Sequence, residues 1–96
     1  KMYISILKIK IRTSLSESLK EKRMIKNKIK DKVENAFRSL VNEIDTQEDK
    51  KLLSLGIVYS SSRETNAEQQ INSILEYIEK NFDYEIYDIE KYVEKF

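Results

Sequence analysis

The segment 2–12 alternates between two kinds of side chain, and this alternation constrains the fold more than any other feature of the chain. Successive side chains of a β-strand point to opposite faces, so each face can be read separately. One face carries Tyr3, Leu7, Ile9 and Ile11. The other begins apolar and turns basic, with Ile4, Ile6, Lys8, Lys10 and Arg12. The pattern predicts a sheet with one face covered by helices and one face left open.

Two segments with helical periodicity are predicted to form the helices that cover one face of this sheet. The first is predicted over 19–37, because Ser18 and Glu21 have capping-box spacing. Its apolar stripe comprises Leu19, Ile25, Ile29, Val33, Ala36, Phe37 and Leu40. The second is predicted over 66–81, with Thr65 and Glu68 in the same spacing. Its stripe comprises Ala67, Ile71, Ile74, Leu75, Ile78 and Phe82.

Three further strands are predicted over 39–45, 52–60 and 84–91, followed by an acidic tail. The resulting order is strand, helix, strand, strand, helix, strand. Two right-handed βαβ halves of this kind give a four-stranded antiparallel sheet with both helices on one face. The sequence therefore predicts an α+β, ferredoxin-like βαββαβ sandwich in which residues 1–96 form one domain, with the first and third strands central.

Composition limits the chemistry that the chain can perform. The 96 residues include no cysteine and no histidine. Disulfides, thiolate nucleophiles, the commonest general base and the usual zinc ligands are therefore excluded. No apolar run approaches the roughly 20 residues of a membrane helix. We expect a cytoplasmic protein that is not an enzyme, holds no cofactor or metal, has no small-molecule substrate and does not contact a membrane.

Charge is distributed unevenly along the chain. Residues 1–40 contain twelve basic and four acidic residues, a net charge of +8, which leaves six basic and thirteen acidic residues in 41–96, a net charge of −7. Such asymmetry is typical of a nucleic-acid face or of self-association between opposite charges. The candidate phosphate-binding residues are Lys10, Arg12, Lys20, Lys22, Arg23, Lys26 and Lys30. The alternative is a solvated basic helix, with Lys22 and Lys26 lying along the edge of the core.

Several short motifs resemble one known family. The chain reads SLKEKR at Ser18–Arg23, after the first strand, EID at Glu43–Asp45 and LGI at Leu55–Ile57. Over roughly 2–91 these are similar to the YlxP-like family, a bacterial family of unknown function. The resemblance implies a ferredoxin-like fold and a genomic neighbourhood of transcription and translation factors, but no activity. The chain departs from the family in having Ser14-Leu15, Glu17 and Lys51-Leu52 where the family commonly has Pro-Gly, a basic residue and Gln-Arg.

Two hypotheses of function follow. The first is a small module that binds RNA or a ribosome through the basic first helix. The second is a homodimeric structural or protein-interaction domain with no role in nucleic-acid binding, whose dimer face contains Ile4, Ile6 and Val58. A sensor for a small ligand at a dimer interface is a third possibility, against which the lack of a glycine-bearing loop after the first strand counts.

Overall fold

The computed structural model describes residues 1–13 and 17–96. It contains six elements in the predicted order: β1 (Tyr3–Arg12), α1 (Leu19–Phe37), β2 (Leu40–Glu43), β3 (Leu52–Ser61), α2 (Glu64–Asn81) and β4 (Glu85–Lys95). The departure from the family pattern at Ser14 and Leu15 lies outside the described residues.

The four strands form one antiparallel sheet in the order β2-β3-β1-β4. The ferredoxin-like prediction is confirmed, and so is the central position of β1 and β3. Tyr3 pairs with Ser61 and Arg12 with Leu52, so β1 and β3 are in register along their full lengths. Both helices pack on one face of the sheet, which we call the inner face. The opposite face is not covered by a helix, and we call it the open face.

The core lies between the inner face and the helices. Leu7, Ile9 and Ile11 of β1 are at most 1% exposed, as the alternation predicts. They belong to one buried cluster that also contains Ile29 and Val33 of α1 and Ile71, Ile74 and Ile78 of α2. At this layer the buried Ser5 hydroxyl of β1 donates to the Ala67 carbonyl over 2.7 Å.

The start of α1 is capped as its sequence predicts. The Ser18 hydroxyl accepts a hydrogen bond from the Glu21 amide at 3.1 Å. The Glu21 carboxylate in turn accepts from the amide of Glu17, 2.9 Å away. The reciprocal bond thus reaches one residue further back than in the usual capping box. At the other end, Arg38 adopts the left-handed conformation, with φ of 50°.

The boundaries of three elements differ from the predictions by two or more residues at one end. β2 ends at Glu43, and β4 continues to Lys95, so that the predicted acidic tail is strand. α2 starts at Glu64, and its N-cap is Arg63, which makes no side-chain capping bond, so the predicted cap at Thr65 is wrong. Leu40 belongs to β2, which confirms its place in the strand predicted over 39–45, and its place in the core stripe of α1 is wrong because its side chain is 66% exposed.

Among the described residues, no helix is long and apolar enough to cross a membrane.

Candidate interaction surface

The open face of the sheet is built by residues at alternate positions of all four strands. Cross-strand partners point to the same side. Ile6 of β1 pairs with Val58 of β3 and with Tyr92 of β4, and Val58 pairs with Leu40 of β2. These four side chains therefore form a row across the whole sheet.

We call one end of this face the apolar end; it comprises Met2, Ile4, Ile6, Leu40, Val58, Tyr92 and Phe96, and the polar residues Ser60 and Glu94 lie opposite Ile4 on the two neighbouring strands. Met2 and Phe96 extend the β1–β4 register, because each amide donates to the other's carbonyl, at 2.8 and 2.7 Å. Nine large apolar side chains are exposed in the described part of the chain, and seven lie on the open face: Met2, Leu40, Ile44, Val58, Tyr87, Tyr92 and Phe96. Exposed apolar surface is thus concentrated on one side of the molecule.

The other half of the face is the charged end, which comprises Lys8, Lys10, Arg12, Glu85, Asp88 and Glu90. The Lys8 ammonium lies 3.5 Å from Glu90, and the Arg12 guanidinium lies 3.1 Å from Glu85. Between these two pairs, Lys10 faces Asp88 in the register. Acids of β4 therefore neutralise the basic residues of β1 within the same sheet.

A bulge in β4 shapes the charged end. The β1–β4 register shifts between Lys10 and Ile11, so β4 has one extra residue. Tyr87 lies at this position, and its ring is 4.5 Å from the Arg12 guanidinium. Bulges commonly re-aim a side chain in this way. A shallow cavity of about 290 Å³ lies beside Tyr87 and is also lined by Lys8, Lys10 and Asp45.

Tyr92 connects the two ends of the face. Its hydroxyl donates to Glu90 over 2.8 Å. This hydrogen bond, together with the positive charge of Lys8, lowers the pKa of Glu90 from its ordinary value. The same bond raises the pKa of Tyr92, because the neutral phenol is the donor.

One predicted phosphate ligand, Lys22, does not lie on the surface. Its side chain is 0% exposed, and its ammonium lies 2.8 Å from the Glu43 carboxylate. It also donates to the carbonyls of Thr46 and Leu52. The assignment of Lys22 to a phosphate site is therefore wrong, because all of its partners are inside the protein.

The remaining predicted basic residues divide between two sides of the molecule. Lys10 and Arg12 are on the open face, whereas α1 packs on the inner face. On α1, Lys30 is paired with Glu34 at 2.8 Å. In the part of the chain that the structure describes, Lys20, Arg23 and Lys26 have no acidic partner within 4.0 Å. The structure does not bring the seven candidates together into one patch.

The predicted dimer residues Ile4, Ile6 and Val58 do lie together on the open face. The predicted dimer face does not include Leu40, Tyr92 and Phe96, which complete the apolar end. The sequence pattern places Leu40 both in the α1 stripe and in the strand over 39–45, and it places Tyr92 and Phe96 in a tail. Continuing the alternation of β4 past residue 91 would have placed Tyr92 and Phe96 on the same face as Ile6.

No constellation typical of a metal centre accompanies this surface, since residues 1–13 and 17–96 hold no group of three or more acidic side chains that could bind a metal ion. No curated protein matches the chain. A family profile described as protein of unknown function, DUF503, matches residues 4–91, nearly the whole length and almost the span over which the family resemblance was found. The chain therefore belongs to the DUF503 family.

Proposed function

We propose that this chain is a homodimeric protein-interaction domain, with no catalytic role, that contacts a second copy of itself through the open face. The observation that carries the proposal is the concentration of exposed apolar side chains at the apolar end. Leu40 and Phe96 are 66% and 69% exposed there. Both helices cover the inner face, and no element of the described chain covers the open one.

The energetics favour covering this end. Each Å² of apolar surface removed from water contributes roughly 25 cal/mol. Contiguous exposed apolar patches of several hundred Å² commonly mark interaction sites on soluble proteins. Ile6 is partly exposed within the row across the sheet, and Leu40 and Tyr92, at the two ends of the row, are more exposed.

Sedimentation velocity over a wide concentration range tests the proposal. We expect concentration-dependent dimerisation that Val58→Glu weakens at least about tenfold, since burying one valine contributes about 1.5–3 kcal/mol. The matched control is Met24→Glu, which places the same charge on the exposed side of α1, where Met24 is 65% exposed. A wild-type chain that stays monomeric at millimolar concentration would refute the proposal, as would equal effects of the two substitutions.

A second candidate function is nucleic-acid binding through α1, and it is favoured by three cations of the helix that have no acidic partner within 4.0 Å among the described residues. Lys20, Arg23 and Lys26 are spaced by three residues and lie in the first two turns of α1. Cations near a helix N-terminus oppose the helix dipole, at a cost of roughly 0.3–1 kcal/mol each when exposed. A bound phosphate backbone would offset that cost.

Salt dependence of RNA binding tests this candidate. Each phosphate contact contributes roughly 0.7 to the slope of log K against log salt for single strands. Arg23→Glu should therefore lower the slope. Lys95→Glu, which makes the same charge reversal at the end of β4, should affect binding much less. A slope near zero for the wild-type chain, or identical slopes for the two variants, would exclude α1 as the binding site.

A further inference from the structure

The outer edge of β4 is available to a further strand. The sheet order β2-β3-β1-β4 places β4 at one end, and no strand of the described chain lies beyond it. Met2 and Phe96 exchange both backbone hydrogen bonds, and such pairs alternate with non-bonded pairs along an antiparallel ladder. In the β1–β4 register, the even-numbered residues of 88–94 therefore bond to β1. Four residues direct their amides and carbonyls away from β1: Ile89, Lys91, Val93 and Lys95.

Ile89 shows that the helix layer stops short of this edge. Leu55, Ile9 and Ile89 form one row across β3, β1 and β4 on the inner face. Leu55 and Ile9 are 0% exposed, whereas Ile89 is 42% exposed. Because α2 lies over β1 more than over β4, a groove remains between α2 and the inner side of β4.

Two cavities of about 280 Å³ each lie in this groove. Ile71 and Val93 contribute to the first cavity, and Phe82, Ile86 and Ile89 contribute to the second. Val93 and Ile89 are four residues apart, which is about 14 Å along a strand. Side chains at positions i and i+4 of an added strand point to the same face with the same spacing. The groove therefore fits an extended segment that has apolar side chains four positions apart.

Acidic side chains flank the edge on both faces of the sheet. Glu68 lines the first cavity, and Glu79 and Asp83 line the second. Asp88 and Glu94 lie on the open-face side of β4. None of these five has a basic partner within 4.0 Å in residues 1–13 and 17–96. Their charge favours a segment that carries Lys or Arg between its apolar residues.

We propose that the outer edge of β4 binds an extended basic segment of another protein as a fifth strand, with apolar side chains of that segment in the two cavities. In this mode of recognition, main-chain hydrogen bonds supply affinity and pockets for alternate side chains supply specificity. The site lies at the edge of the sheet and does not use the open face, so it is independent of the proposed homodimer. One added strand is a small interface, so the complex should be transient, with a Kd in the micromolar range.

A second copy of β4 does not fit the same edge. Antiparallel pairing of two β4 strands centred on Lys91 would place Lys91 opposite itself and Asp88 opposite Glu94. Pairing centred on Tyr92 would place Glu90 opposite Glu94. Like charges directly opposite each other on neighbouring strands are destabilising. The charges of β4 therefore select a basic partner over a copy of itself.

Fluorescence anisotropy with labelled peptides tests the proposal. The probe is a nine-residue peptide in which valine alternates with lysine, and its control has glutamate in place of every lysine. We expect the control to bind at least about tenfold more weakly. Two further probes carry N-methyl groups on all valines or on all lysines. Since alternate amides of a strand point to opposite sides, one of these should lose at least about tenfold in affinity and the other should bind like the parent peptide.

Hydrogen exchange in the full chain locates the bound peptide. The amides of Ile89, Lys91 and Val93 should become protected when the probe is added, because they point away from β1 in the free chain. Lys91→Pro removes one of these donors at an edge position, where proline is tolerated, and should weaken binding at least about tenfold. Lys91→Ala also removes the bond from the ammonium to Asn72 but keeps the amide, so it should bind like the wild type. Urea unfolding checks that both variants are folded.

Equal affinities of the lysine and glutamate peptides, or of the two methylated peptides, would overturn the proposal on the wild-type chain alone. Equal binding by folded Lys91→Pro and Lys91→Ala would also overturn it. Protection of Ile89, Lys91 and Val93 that grows with chain concentration without peptide would overturn the choice of partner, because a second copy would then occupy the edge. Val58→Glu, which tests the homodimer, should leave peptide binding unchanged, so the two proposals can fail separately.

Discussion

The ammonium of Lys22 and the carboxylate of Glu43 form a buried ion pair, 2.8 Å apart, with side chains 0% and 6% exposed. The pair joins the first turn of α1 to the end of β2. Thr46 donates its hydroxyl to the same carboxylate at 2.7 Å, and its carbonyl accepts from Lys22. The loop between β2 and β3 is thereby attached to the helix that covers the sheet.

Lys22→Met should destabilise the fold strongly. The substitution leaves the Glu43 carboxylate buried without its cation, and it removes the donor to the carbonyl of Leu52. Breaking a buried pair from one side costs about 3–5 kcal/mol. Equilibrium unfolding in urea measures this cost as a shift of the midpoint.

The control for this substitution is Lys20→Met, which makes the same change at an exposed position two residues away. It should alter the free energy of unfolding by no more than about 0.5 kcal/mol. The double variant Lys22→Met, Glu43→Leu should recover part of the loss, because no unpaired charge remains. Equal midpoints for the two lysine variants would show that the buried pair contributes little.

The contacts of Glu34 lead us to expect that the stability of the fold depends on pH. Its carboxylate accepts hydrogen bonds from the Lys30 ammonium at 2.8 Å and from the Val41 amide at 2.9 Å, which links α1 to β2. The bond from Lys30 is the larger cause, and the bond from Val41 the second, of a pKa lowered from its ordinary value. A lowered pKa means that the carboxylate contributes stability above the ordinary glutamate value of about 4.3, and that this contribution is lost as the pH falls through the lower, folded-state pKa.

Glu34→Gln should therefore flatten the acid limb of the stability profile. Between about pH 6 and about pH 3, the wild-type chain should lose more free energy of unfolding than this variant does. Glu79→Gln, at an exposed position of α2, should leave the acid limb close to that of the wild type. If Glu34→Gln and the wild type lose the same stability over this range, the link from Glu34 to Lys30 and Val41 is not formed in solution.

Local pattern was sufficient to predict the fold. The alternation of β1 depends on period-two geometry alone, and the Ser18–Glu21 cap depends on residues three apart. Both are local, so neither depends on a tertiary contact. The apolar positions at Leu7, Ile9 and Ile11 are the ones that the structure buries.

The features that the sequence did not predict depend on tertiary contacts. Lys22 is indistinguishable from Lys20 in a list of basic residues, and its burial depends on Glu43, which lies 21 positions away. The separation of Arg12 from Arg23 onto opposite sides of the molecule depends on which face of the sheet the helices cover. The pattern predicts a tail at Tyr92 because charged residues flank it in an edge strand, where both faces are largely solvated.

Gly56 provides a prediction about close packing on the open face. A Cβ added to Gly56 would lie 3.2 Å from Cγ1 of Ile44 and 3.4 Å from its Cδ1. Ile44 is 36% exposed and can move, so the crowding should offset the gain from restricting the unfolded chain. Gly56→Ala should therefore change the free energy of unfolding by less than about 1 kcal/mol.

The crowding can be isolated with a double-mutant cycle. In an Ile44→Ala background, Gly56→Ala no longer meets the isoleucine side chain. It should then stabilise the chain by roughly 0.5–1 kcal/mol, the usual gain of alanine over glycine inside a strand. Additive effects of the two substitutions would show that the side chains of residues 44 and 56 do not interact.

Arg38 is a site at which the fold can be stabilised. It ends α1 in the left-handed region at φ 50°, and its amide donates to the Glu34 carbonyl at 2.9 Å. A residue with a Cβ adopts this conformation at a cost of roughly 1–2 kcal/mol, which glycine does not incur. Since glycine has more freedom to lose on folding, Arg38→Gly should give a net gain of about 0.5–1 kcal/mol, measured by urea unfolding. Arg38→Ala removes the same side chain but keeps the Cβ, so it should give no such gain; equal stabilities of the two variants would contradict the prediction.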